Sequence, residues 1–140
     1  MSCAQLWSTE LDSKTKATAA GGKHNLFDAR KSSSFKKVSG SSWKIKYGDG
    51  STASGIVGTD NVTLGGLCVE NQAIELASKL SAQFTKSAGD GLLGLAFGKI
   101  NTVKPKAVAT PVENMVGLAS HLDCHSTAFH KSQTDPSTHR

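Results

Sequence analysis

The chain of 140 residues has the length of one small domain. With 37% hydrophobic residues, 14 Gly and 3 Pro, it is too apolar for a disordered chain and too rich in glycine for a helix bundle. No run approaches the ~20 apolar residues of a membrane span, and residues 1–7 lack the basic and apolar regions of a secretory signal peptide. We therefore expect no membrane partner, and the localisation stays unknown.

The net charge of +5 comes from 16 Lys+Arg against 11 Asp+Glu. These basic residues are scattered, and the pair Lys36–Lys37 lies in a Ser-rich stretch. Proteins that bind nucleic acids concentrate their basic residues on one helix or stripe, with aromatic residues between them. We therefore expect no nucleic-acid partner.

The spacing of cysteines and histidines does not predict a metal site. Cys3, Cys68 and Cys124 have neither disulfide-framework nor zinc-ribbon spacing. Cys68, between two apolar neighbours, is expected to be a small buried side chain. The pattern His121-x-x-Cys124-His125 matches no established zinc finger, and we favour a disordered tail over zinc ligation. We expect no metal and no cofactor.

Residues 43–77 have the pattern of three antiparallel strands. Trp43, Ile45 and Tyr47 alternate with lysines, which is the period of a half-buried strand. Turns rich in glycine separate this segment from two further apolar segments. The pattern predicts an all-β fold of antiparallel sheets. The predicted strands span residues 43–47, 55–64 and 67–77, with turns at 48–55 and 65–66.

Outside this region the sequence predicts less regular structure. Residues 8–42 are polar, and residues 26–34 are interpreted as a surface loop. The glycines of the apolar segment 89–97 favour a buried strand or loop over a helix. Thr110-Pro111-Val112-Glu113 is typical of a capping box, which predicts a short helix near residues 111–116. The composition changes near residue 115, and we expect one partial domain over residues 1–115 and an unrelated tail over 116–140.

Five segments, in the right order, carry a family resemblance. They are residues 6–11, Phe27-Asp28 with its serine run, Trp43-x-Ile45-x-Tyr47-Gly48-Asp49-Gly50-Ser51-x-Ala53-Ser54-Gly55, Asp90-Gly91-Leu92-Leu93-Gly94-Leu95 and residues 100–105. The third resembles the flap hairpin of pepsin-like aspartic endopeptidases of the fungal aspergillopepsin and penicillopepsin type. The resemblance covers Cys3 to about Met115 and implies part of the family's N-terminal lobe.

The resemblance implies peptide-bond hydrolysis by two aspartates, each in an Asp-Thr-Gly or Asp-Ser-Gly motif that this sequence lacks. Aligning Leu6-Trp7 with the family's motif places the first of these aspartates just before Met1, and we expect the second lobe, which supplies the other, to be absent. We therefore expect a truncated homologue without catalytic residues, inactive on its own, with unpaired strand edges and marginal stability. None of the remaining aspartates is expected to form a dyad. They are Asp12, Asp28, Asp49, Asp60, Asp90, Asp123 and Asp135.

The resemblance also implies a binding surface on the flap. Tyr47 would cover a bound peptide, and the backbone near Gly48 and Asp49 would bond an extended chain. Asp49 and Ser51 would favour a basic side chain there. The expected partners are a peptide or protein substrate, an inhibitor, or a second copy that pairs through exposed strand edges. Two alternatives stay open: a non-catalytic peptide- or inhibitor-binding module, and a degenerate or mis-spliced product. The family is normally secreted.

Overall fold

The computed structural model describes residues 4–21, 24–96 and 98–122. Its centre is one six-stranded sheet with the strand order β5-β1-β4-β3-β2-β6, which confirms the prediction of a fold built mainly from β-strands. No helix within the described ranges is long and apolar enough to cross a membrane. The elements are β1 (Ala4–Trp7), α1 (Ser13–Gly21), β2 (Lys36–Lys46), β3 (Thr52–Leu64), β4 (Leu67–Leu80), α2 (Ala82–Thr85), β5 (Gly91–Leu93), β6 (Val103–Lys104) and α3 (Pro111–Leu122).

The predicted three-stranded meander is formed by β2, β3 and β4, which pair antiparallel in chain order. The turn between β3 and β4 is made by Gly65 and Gly66, with φ of +57° and +85°. Residues with side chains rarely adopt these angles, so glycine is the fitting residue at both positions. All three strands are longer than the alternating segments in the sequence indicate.

The first strand enters the sheet between two strands that come much later in the chain. β1 pairs parallel with β4 and antiparallel with β5, and Gln5 lies directly opposite Glu75. A Cβ atom on Gly91 of β5 would lie 2.5 Å from the backbone oxygen of Gln5. The close backbone approach predicted for the glycine-rich apolar segment is therefore confirmed at Gly91.

The sheet buries apolar side chains on both of its faces. Because neighbouring residues of a strand point to opposite faces, one face carries Trp43, Val57 and Ala77, and the other carries Ile74 and Leu76. The first cluster is completed by Leu11, Ala53 and Val103, with Leu26, Val38, Ile45, Leu80, Phe84 and Val108 packed around it. Ala4 completes the second, which Leu6, Phe27, Ala29, Phe35, Ile56 and Val62 surround.

Several local predictions are wrong. Helix α1 and most of β2 lie within residues 8–42, where the sequence predicts neither a helix nor a strand; α1 has no apolar stripe that would indicate a helix. Cys68 is exposed because its neighbour Val69 takes the inward-facing position of the strand. Leu95, in the apolar segment 89–97 that was expected to be buried, is 61% exposed.

The capping box at Thr110 is confirmed. The amide of Glu113 donates to the Thr110 hydroxyl at 3.2 Å, and the amide of Thr110 donates to the Glu113 carboxylate at 2.9 Å. Helix α3 continues to Leu122, beyond the predicted end at residue 116. The division at residue 115 stays a prediction, and residues 123–140, with most of the expected tail, lie outside the described residues.

Candidate functional site

The turn between β2 and β3, residues 47–51, is closed by its own hydrogen bonds. The amide of Tyr47 donates to the carbonyl of Ser51 at 2.9 Å, and the amide of Gly50 donates to the carbonyl of Tyr47 at 3.0 Å. Gly50 has a φ of +82°, which glycine adopts without strain. We call residues 47–51 the hairpin tip. At its end Gly48 and Asp49 are exposed, whereas Ser51 is buried.

The Asp49 carboxylate shapes the hairpin tip and keeps its negative charge. The hydroxyl and the amide of Ser51 donate to the same Asp49 oxygen, at 2.6 and 2.9 Å. These bonds, with that from the hydroxyl the stronger influence, lower the pKa of Asp49. The predicted site residues Tyr47, Gly48, Asp49 and Ser51 therefore lie together in one turn, which presents an exposed carboxylate.

The base of the hairpin is fixed to the segment that precedes α2. The amide of Thr52 donates to the Ser81 hydroxyl at 3.1 Å, and the amide of Ser81 donates to the carbonyl of Thr52 at 2.9 Å. The first residue of β3 is thereby bonded in both directions. The tip projects from a base that is held in place.

The Tyr47 side chain has contacts at its hydroxyl and at its ring. The hydroxyl donates to the side-chain oxygen of Gln5 at 3.0 Å. The ring meets that of Phe84 edge to face, with centroids 5.4 Å apart and planes at 65°. Partial burial raises the pKa of this phenol, against the opposing effect of the Gln5 hydrogen bond. Tyr47 is therefore a neutral aromatic residue that joins the hairpin tip to β1 and α2.

A buried carboxyl group lies beneath this arrangement. Glu75 of β4 is 1% exposed, and its strand partner is Gln5. Neither carboxyl oxygen has a hydrogen-bond partner among the described residues. Burial raises the pKa of Glu75 to about 7, whereas the amide of the neighbouring Gln5 side chain, which lies outside regular hydrogen-bond geometry, has the opposite effect.

Each aspartate of the described residues forms hydrogen bonds with partners of its own. In the described ranges no hydrogen bond joins two carboxyl groups, and no cluster of metal-ligating side chains occurs. Hydrogen bonds hold the pKa of five aspartates below the ordinary value, although burial is the largest single influence at Asp60 and opposes them. Their partners are Thr15 for Asp12, Arg30 for Asp28, Ser51 for Asp49, Ser32 and Ser34 for Asp60, and His24 and Asn25 for Asp90. Asp123 and Asp135 lie outside the described residues.

Sequence reasoning missed three residues of this site: Gln5, Glu75 and Phe84. The first two are polar residues inside apolar strand segments, a signal that indicates a buried polar group. Phe84 has no comparable signal, since a single aromatic residue in a polar segment is ordinary. Its position against Tyr47 follows from the attachment of Ser81 to the hairpin base.

The family model for eukaryotic aspartyl proteases matches residues 2–134 of this sequence. The chain belongs to the eukaryotic aspartyl protease family. Among the aspartyl proteases similar to it are syncephapepsin of Syncephalastrum racemosum, 53% identical over 104 residues, and penicillopepsin-1 of Penicillium rubens, 53% identical over 110. Aspergillopepsin-1 of Aspergillus oryzae is 45% identical over 113 residues. The resemblance seen in the sequence is thereby confirmed.

These matches cover most of the chain and a small part of each relative. They span 74%, 76% and 80% of this chain but 25%, 26% and 28% of the three relatives, in the order given. The fold is similar to that of the aspartic proteinase from Irpex lacteus, with a TM-score of 0.60 at 23% identity, covering 85% of this chain and 30% of that one. The chain therefore has the fold of part of an aspartyl protease.

Proposed function

We propose that these 140 residues bind an extended peptide segment at the hairpin tip and do not cleave it by themselves. The observation that carries the proposal is the hairpin itself: an exposed turn with a charged carboxylate, which Gln5 and Phe84 hold at Tyr47 and Ser81 holds at its base. By family, the reaction to which this surface would contribute is aspartic-type hydrolysis of peptide bonds.

Binding is supported by the structure of the hairpin, because its base at Thr52 is fixed by hydrogen bonds while Gly48 and Asp49 at its tip are exposed. Ordering a loop on binding costs conformational entropy. A turn that its own hydrogen bonds already order loses less entropy when it binds a ligand. The exposed backbone at Gly48 and Asp49 can bond an extended chain. The Asp49 carboxylate can accept a charge-assisted hydrogen bond from a basic side chain of the peptide.

The absence of cleavage is supported by the chemistry of the carboxyl groups. Aspartic proteolysis needs two close carboxyl groups that share one proton. The sequence contains neither Asp-Thr-Gly nor Asp-Ser-Gly, and the five aspartates in the described ranges each bond to non-acidic partners. Glu75, the carboxyl group with a raised pKa, is buried rather than presented at the tip.

The experiment measures binding of fluorescently labelled pepstatin, a peptide-like inhibitor of aspartic proteases, by fluorescence anisotropy. We expect Tyr47→Ala to weaken binding by about 10-fold or more, because a large aromatic contact is lost. Val116→Ala is the matched control, since Val116 is an apolar side chain 64% exposed on α3, away from the hairpin. Equal affinities for Tyr47→Ala, Val116→Ala and the unchanged chain would contradict the proposal.

A further inference from the structure

The end of β3 that lies away from the hairpin tip carries a motif that peptide binding does not use. Asn61-Val62-Thr63 has the pattern Asn-x-Ser/Thr, with a middle residue other than proline, which is the acceptor pattern for N-linked glycans. None of the other four asparagines of the chain begins such a pattern. A glycan attached through this motif therefore has one possible position, Asn61.

The two ends of the motif lie on the outward side of the hairpin formed by β3 and β4. Asn61 and Thr63 are two residues apart on one strand, so their side chains point to the same face, and both residues are exposed. Thr63 pairs with Cys68 of β4, which is exposed as well. Val62, between them, points the other way and packs against the buried cluster that contains Ile74. The core therefore fixes the acceptor on the side that faces solvent.

A bulge in β4 orients the side chain of Asn61. Asn61 alone lies opposite two residues of β4, Glu70 and Asn71, where the register of the two strands shifts. The backbone amide of Asn71, a residue with a φ of +52°, donates to the side-chain oxygen of Asn61 at 3.1 Å. No hydrogen bond among the described residues uses the side-chain nitrogen Nδ2 of Asn61. This nitrogen is the atom that carries the sugar in an N-linked site.

The space around this end of the hairpin is open. A Cβ atom added to Gly65 or to Gly66, in the turn that follows the motif, would meet no atom within 4 Å. The hairpin tip is distant, because nine residues of β3 separate Asn61 from Thr52, which is about 30 Å of extended chain. A glycan at Asn61 is therefore compatible with peptide binding at the tip.

We propose that Asn61 is the acceptor of one N-linked glycan, transferred when the chain passes through the endoplasmic reticulum. The donor is an oligosaccharide joined to a lipid through a diphosphate. The transfer forms a bond between Nδ2 of Asn61 and C1 of the first sugar, and it breaks the bond between that carbon and the diphosphate oxygen. The lipid diphosphate leaves with the electron pair of the broken bond, and Nδ2 releases one of its two hydrogens as a proton. The side-chain oxygen keeps its hydrogen bond from Asn71, so the folded chain accommodates the glycan without losing that bond.

The test compares the full chain made in two hosts. Behind a cleavable signal sequence in a eukaryotic secretion host, the chain meets the enzyme that transfers glycans, whereas the same chain made in the bacterial cytoplasm does not. We expect the first product to be heavier by one glycan. The glycosidase that cleaves the bond between asparagine and sugar should remove this mass and leave an aspartate at position 61, which peptide mass spectrometry detects.

Two substitutions at the end of the motif assign the modification. Thr63→Val keeps the shape of the side chain and its preference for strands but lacks the hydroxyl that the pattern requires, so it should lose the glycan completely. Thr63→Ser retains the pattern and should carry the glycan. Glycans are measured in the cell extract as well as in the medium, so a variant that folds poorly still gives a result. An unchanged chain without a glycan would overturn the proposal, and so would a glycan that persists in Thr63→Val.

The orientation of Nδ2 is tested by urea unfolding of the glycosylated chain and of the bacterial product. Because the glycan projects into solvent and the bond from Asn71 is kept, the glycosylated chain should unfold at the same urea concentration or a higher one. A lower midpoint would show that the glycan displaces structure around Asn61 and would contradict the assignment. None of these measurements involves a peptide ligand, so their outcome is independent of the proposed function.

Discussion

Replacing Glu75 by Gln should make the chain more stable at neutral and alkaline pH. The folded state raises the pKa of Glu75 from an ordinary value of 4.5 to about 7. Below about pH 4.5 the folded and the unfolded chain both carry the proton, so the stability from the neutral carboxyl is fully present. Between the two values only the folded chain holds the proton, and the free energy of unfolding falls by about 1.4 kcal/mol per pH unit.

The loss is complete once the pH has passed the folded value. A difference of 7 minus 4.5, or 2.5 pH units, corresponds to about 3 kcal/mol. This is a large share of the stability of a small domain. Glu75→Gln lacks the titration, so its advantage over the unchanged chain should be small in acid and reach about 3 kcal/mol above about pH 7.

The assay is urea unfolding of both chains at several pH values, followed by the fluorescence of Trp7 and Trp43, which are buried. The aspartates with lowered pKa values change stability in the opposite direction, since their contribution is lost as the pH falls. These contributions cancel in the difference between the two chains. Glu70→Gln, which removes an exposed carboxyl of the same strand, is the control. A difference between Glu75→Gln and the unchanged chain that stays constant with pH would refute the reasoning.

Three further predictions concern packing and capping. Thr110→Ala removes the hydroxyl that accepts a hydrogen bond from the backbone amide of Glu113 at the start of α3. Urea unfolding should show that the free energy of unfolding falls by about 1 kcal/mol. No measurable change would contradict the capping box. Gly55→Ala places a Cβ atom 1.9 Å from the backbone oxygen of Leu76, so it should destabilise the chain by about 3 kcal/mol, whereas Gly48→Ala meets open space and should have little effect. In a double-mutant cycle, Tyr47→Leu and Phe84→Leu should be coupled by about 1 kcal/mol because their rings touch, and simple additivity would show that this contact contributes nothing.

The parts of the fold that the sequence predicts are those governed by local patterns. Alternation around Trp43 and the Gly65-Gly66 turn indicate the meander, and Thr110 with Glu113 marks the start of α3. Helix α1 is missed because it has no apolar stripe. A local pattern cannot indicate the parallel pairing of β1 with β4.

The candidate site likewise contains residues that a local motif identifies and residues that only the tertiary structure brings together. Tyr47, Gly48, Asp49 and Ser51 are consecutive or nearly so, and the motif that contains them is recognisable in the sequence. Gln5 and Glu75 meet only through the parallel strand pairing, so their relation to Tyr47 requires the tertiary structure. Polar residues within apolar strand segments were nevertheless a signal that could have singled them out.

The central claim is that this chain holds a peptide without hydrolysing it, and one measurement addresses both halves. Purified chain is mixed with labelled pepstatin and, separately, with a denatured protein substrate at about pH 3–5, the acid range in which a carboxyl dyad keeps its shared proton. The account predicts saturable pepstatin binding that Tyr47→Ala weakens, together with no release of peptides from the substrate. Cleavage of the substrate that pepstatin inhibits would contradict it.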